Sequence, residues 1–143
     1  MNSDAKDKLV VALSVTSNDL GLTDLNEMIG LEGAQGWSKG DRYKKGNGTE
    51  AFRKFSKWEI AEKSNDVTLI EALVEEIFSK IYPLRKSFLQ LPENAQVEFK
   101  VWFDWHPGDR AFGLHLEEKF LRLLTEIKAS IDIDTSVIIK SAN

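Results

Sequence analysis

The sequence predicts an α+β domain, a mainly antiparallel sheet with helices packed on one face. Three observations predict it. Apolar residues alternate with period two from Leu9 to Val15, over 96–105 and over 131–139. A helical stripe runs through Leu69/Ile70, Leu73/Val74, Ile77/Phe78 and Ile81. The two kinds of segment interleave in the order β-α-β-β-α-β-β-α-β, where neighbouring strands are close enough in sequence to join as antiparallel hairpins.

Each element has its own warrant. Residues 1–8 form a flexible arm, and 9–143 a single domain that opens with the strand of Leu9, Val11, Leu13 and Val15. Leu22, Leu25, Met28 and Ile29 then fall at helical spacing, with Gly30 as the stop. The glycine-rich GLEGAQGWSKGD leads into a second strand or loop. Asn47-Gly48 signals a type I′ hairpin, returned by Phe52 to Glu62 with Trp58 and Ile60 on one face. Thr68 and Glu71 have capping-box spacing at the start of the next helix, and Pro83 must kink or restart it. Leu84, Phe88 and Leu91 continue its apolar side as far as Pro92. Residues 96–105 and 111–116 read as a hairpin turning at Pro107-Gly108. Leu116, Phe120, Leu123, Leu124 and Ile127 mark a third helix, and Ile131 to Ile139 the last strand.

Composition excludes several classes of function. With no cysteine there are no disulfides, thiolate nucleophiles or zinc fingers. No apolar run approaches the ~20 residues of a membrane span, and the opening MNSDAKDK lacks the layout of a signal peptide. A cytoplasmic protein without a membrane partner is expected. Asn47-Gly48-Thr49, which has the form of a glycosylation site, is then a turn. Gly30, Gly33 and Gly36 have the wrong spacing for a nucleotide loop, and no serine has a G-x-S-x-G context. No cofactor is expected.

Three stretches could carry chemistry. VWFDWHPGDRAFGLHL, 101–116, holds both histidines, but the hairpin register separates them by about 13–20 Å, too far to share a metal. Its alternation aims Phe99, Val101, Phe103 and Trp105 at the core and Glu98, Lys100, Trp102, Asp104 and His106 away from it. Asp132 and Asp134 share a strand face with Cα atoms about 7 Å apart, the spacing of a weak cation or acid–base site. The plainer account is a solvated strand face above a buried Ile131 and Ile133. The third stretch is 37–58, where seven bases face two acids. It carries +5 and leaves −9 elsewhere, for a net −4. Trp37, Tyr43, Phe52, Phe55 and Trp58 interleave with those cations, as in single-strand binders. Core aromatics beside solvated lysines would give the same pattern.

Thr23 to Gly30 (T-x-x-x-x-x-x-G), Trp37 to Asp41 (W-S-K-G-D), Trp58 to Ile60 (W-x-I) and Ser130 to Asp134 (S-I-D-I-D) carry a resemblance. Over roughly Leu9 to Ile139 the chain resembles the bacterial family known as domain of unknown function 4279. The resemblance implies a small bacterial, cytoplasmic α+β domain and brings no catalytic residue or cofactor. It also marks Trp37, Lys39, Gly40 and Asp41 as a shared loop.

The expected function is therefore a non-enzymatic module that binds another protein. Its concrete form by analogy is an immunity protein that neutralises a toxin. The expected contact residues are Trp37, Lys39, Asp41, Arg42 and Tyr43, with Trp102, Asp104 and His106 on the polar face of 98–106. An outward tryptophan is a residue type enriched at interface hot spots. The alternatives are a metal-dependent enzyme or ligand binder at Asp132/Asp134, and anion or nucleic-acid binding through 37–58. Self-association is compatible with any of these.

Overall fold

The computed structural model describes residues 7–31, 35–106 and 113–137. The fold is α+β. β1 (Lys8–Ser17) leads into α1 (Leu22–Ile29), followed by three short strands, β2 (Gln35–Trp37), β3 (Arg42–Lys44) and β4 (Glu50–Phe52), and the longer β5 (Ser56–Ser64). α2 (Ile70–Ile81) runs through a 3-10 turn into the single-turn α3 (Arg85–Phe88), and β6 (Gln96–Trp105), α4 (Glu118–Glu126) and β7 (Ala129–Val137) complete the chain. The main sheet has the order β2-β5-β1-β6-β7, while β3 and β4 form a separate two-stranded ladder.

The alternation along β1 decides the layering. Leu9, Val11, Leu13 and Val15 are buried beneath the helices, and the partner strands present Trp58, Ile60, Phe99 and Val101 at matching register positions. α1 adds Leu25 and Ile29, and α2 adds Ile70, Val74, Ile77 and Ile81. α4 adds Phe120, whose ring meets Phe99 edge-on at 4.7 Å. Burying side chains of this size is worth about 1.5–3 kcal/mol each, which makes this face the main source of stability. Among the described residues the opposite face carries no helix. Its centre is lined with small residues, Ala12, Ser14 and Ala61, between rows of longer polar ones such as Lys57, Glu59, Glu98 and Lys100.

Local details differ from the sequence expectations in several places. α2 is preceded by a 3-10 turn whose cap is Asp66, accepting from the Thr68 amide at 2.9 Å, so Thr68 and Glu71 do not form the capping box. Pro83 restarts the helix as expected, ending α2 in a 3-10 turn at Tyr82–Leu84 that leads into α3. The 45–49 loop is a type I turn closed by Gly48 at φ 83°, with the Gly48 amide donating to the Lys45 carbonyl. Asn47 has no positive φ, so the turn is not type I′.

A further difference concerns 111–116. Pro107, Gly108 and residues 111–112 lie outside the described residues, but 113–117 have no strand conformation. β6 has no room for a hairpin partner, because β1 occupies one edge antiparallel and β7 the other in parallel. A parallel neighbour needs a crossover connection, and α4 lies in it. Leu114 and Leu116 are apolar because they pack against the core as crossover, not as strand. Of the expected N-terminal arm, 1–6 lie outside the described residues, Asp7 is buried and Lys8 begins β1.

Candidate functional site

The W-S-K-G-D loop is tied into the fold almost atom by atom. The Ser38 hydroxyl accepts from the Leu22 amide at 2.8 Å, satisfying a free donor at the start of α1. The Asp41 carboxylate accepts from the Ser38 amide at 2.8 Å, and the Lys39 amide donates to the buried Ser56 hydroxyl at 2.8 Å. Gly40 and Arg53 close the ladder, the Gly40 amide donating to Arg53 and the Arg53 amide to Asp41, each at 2.8 Å. The side chains of Ser38 and Asp41 are thus committed to backbone partners, whereas the Lys39 side chain stands exposed.

Several aromatic and basic residues of 37–58 are engaged with one another. The Arg53 guanidinium sits between Trp37 and Tyr43, 3.8 and 3.9 Å from the ring centroids. Trp37 also donates its indole N–H to the Phe55 carbonyl at 2.9 Å, and Arg42 lies 5.8 Å from the Phe52 ring. Such contacts contribute about 0.5–1 kcal/mol each at exposed sites. A ring face covered by the chain's own guanidinium is not open to a nucleotide base.

The second expected group lies elsewhere. On β6, Trp102 faces Val10 and Asp134 across the open sheet face, and Asp104 faces Lys8 and Ser136. Both side chains are half-buried. His106 is clasped to the start of the fold, since the Asp7 carboxylate accepts from its backbone amide at 2.9 Å and lies 3.1 Å from Nδ1. Trp37 pairs with Lys57 at one corner of the sheet, and Trp102 pairs with Val10 at the diagonal corner. From strand spacing and rise, the two corners are about 25 Å apart. The residues singled out in the sequence therefore belong to two patches.

Asp132 and Asp134 flank a cation. The Lys100 ammonium lies 3.3 Å from Asp134 and 3.7 Å from Asp132. The hydrogen bond to Asp134, reinforced by the charges of Asp134, Asp132 and Glu98, holds the Lys100 pKa above its usual 10.5. Among the described residues no three His, Cys, Asp or Glu side chains converge as a metal group. The strand face is not backed as expected either. Ile131 and Ile133 lie on the helix side of β7, yet they are 44% and 46% exposed, because α4 packs over Phe99 and leaves the outer part of β7 uncovered.

Two features were missed in the sequence. One is the outer edge of β7, which among the described residues has β6 alone as its neighbour and exposes Ile131, Ile133 and Val137. The other is a cleft of about 680 Å³ at the end of the open face, floored by β1 and β6 and walled by Phe55, Asn94 and Lys128. Neither has a local sequence signal, because both depend on which strands lie side by side.

No helix is long and apolar enough to cross a membrane among the described residues. Comparison with curated proteins and with solved structures returns no match. A family model does match, over residues 7–138, from the carboxylate that clasps His106 to the end of β7. By that match, the chain belongs to the family described as Domain of unknown function (DUF4279).

Proposed function

We propose that this chain is a non-enzymatic protein-binding module that accepts an extended segment of its partner along β7. One observation carries the reading. A nine-residue edge strand stands without a second neighbour among the described residues and exposes Ile131, Ile133 and Val137. Long apolar edges pair readily with another strand, and backbone hydrogen bonds to the edge are the usual source of affinity. On the open face the same strand carries Asp132 and Asp134, two carboxylates answered by the single Lys100. The matching partner segment alternates apolar residues with lysine or arginine. Neutralising a basic toxin through such a segment is the immunity form of this reading.

The test is affinity capture from the bacterial host lysate, with nuclease, comparing the wild type with Ile131→Lys/Ile133→Lys. Both sites are exposed, so the variant is expected to stay folded, while its charges oppose strand addition. Capture of one stoichiometric protein that the double variant loses by about tenfold or more supports the reading. Equal capture by both proteins, or recovery of nucleic acid alone, overturns it.

A further inference from the structure

The cleft at the end of the open sheet face lies away from the exposed apolar side chains of β7, and most of the side chains around it are polar. Ser14 and Thr16 from β1 and Gln96 and Glu98 from β6 form its floor, and Ser130 borders it at the start of β7. Ser14 is only 7% exposed although no layer covers it, because it lies between the longer side chains of Glu59 and Glu98. A hydroxyl recessed between taller neighbours on a central strand is a rigid recognition group. At the rim the Phe55 ring is 40% exposed and is steadied by Trp37, with ring centroids 6.1 Å apart.

We propose that this cleft binds a neutral carbohydrate, an oligosaccharide laid against the Phe55 ring with its hydroxyls on Ser14, Thr16, Gln96 and Glu98. Hydroxyl and amide side chains both donate and accept, as sugar hydroxyls do, so each can pair whichever way the ligand presents itself. The apolar face of a pyranose ring suits an exposed aromatic wall. Charge argues against the other classes. Glu98 on the floor repels a phosphate, and Lys128 at the wall repels a metal cation. A free amino acid would find both charges but fill little of a cleft of about 680 Å³, which is within the usual range for larger ligands.

Lys128 supplies a second observation. It follows the last turn of α4 and is the non-glycine residue with positive φ, 57°, among the described residues. Glycine usually occupies this left-handed position after a helix, and another residue there carries backbone strain. The chain thus holds a strained lysine at the wall of the cleft.

The experiment titrates the isotope-labelled full chain with maltotriose, cellotriose and chitotriose. Inorganic phosphate and free glutamate serve as controls, and the readout is the backbone amide signals of 14–18 and 94–98. At least one trisaccharide is expected to shift these signals saturably at about millimolar concentration or below. Gln96→Ala, at an exposed site, should weaken that binding about five- to tenfold without altering the fold. Lys128→Gly should weaken it while leaving the melting temperature unchanged or raised, an outcome that a purely structural lysine does not produce. The proposal is overturned if no trisaccharide shifts these amides, if only phosphate or glutamate does, or if both variants bind like the wild type.

Discussion

The two edges of the five-stranded sheet are finished in opposite ways. At one edge the three residues of β2 pair with Lys57 to Glu59. The chain then folds back on itself there, with Ser38 holding the start of α1, Asp41 closing its own loop, and Arg53 packed between Trp37 and Tyr43. At the other edge β7 runs for nine residues with β6 on its inner side and apolar side chains exposed. Closing an edge takes side chains that satisfy backbone donors or block a new strand. β2 is only three residues long and runs straight into the internally bonded 37–41 loop, whereas β7 offers nine residues of edge. A segment that is distinctive in sequence here builds scaffold, while the plainer strand is left accessible.

The contrast can be broken most severely at Gly36. A Cβ there would lie 1.8 Å from the Lys57 carbonyl oxygen, so Gly36→Ala must push β2 off β5. We expect a loss of about 3 kcal/mol or more, read as a lower urea midpoint, and a wild-type midpoint would show that β2 does not hold that edge. Ser38→Ala tests the tie between this edge and α1. Removing the acceptor of the Leu22 amide should cost about 1 kcal/mol, whereas no change in the midpoint would mean that water replaces the hydroxyl.

The smallest effect is expected beside β7, at Lys100. Its pKa is raised in the folded chain, so its contribution is fully present below the unfolded value of 10.5 and is lost as pH rises through the folded value. The stability difference between wild type and Lys100→Gln should be constant through neutral pH and shrink only in the alkaline limb. A difference that already varies between pH 6 and 9, about the neutral range, would contradict the ion-pair assignment.

The layering was legible in the sequence because period-two and period-3.6 patterns report burial directly. Leu9, Val11, Leu13 and Val15, Trp58 with Ile60, and Ile70, Val74, Ile77 and Ile81 of α2 face the core, whereas Leu69 at the head of the expected stripe is exposed. What failed was adjacency. The apolar spacing of Leu114 and Leu116 suits a second hairpin strand and a crossover packed on the core equally, and only the parallel arrival of β7 separates the two. The cation beside Asp132 and Asp134 is thirty-odd positions away in sequence, and the cleft brings Ser14 to Glu98 across two strands. Local pattern predicts which way a side chain points, but not which strand lies next to it.

The position of β1 also affects how the chain is made. β1 is the middle strand, yet it is synthesised first, and its two neighbours begin only at Ser56 and Gln96. Until then the run Leu9 to Val15 has neither partner, and strongly apolar β-formers of this kind are prone to aggregation while exposed. Slow folding is the usual companion of such long-range pairing. The longer this strand waits for its partners, the longer its apolar face is open to other chains.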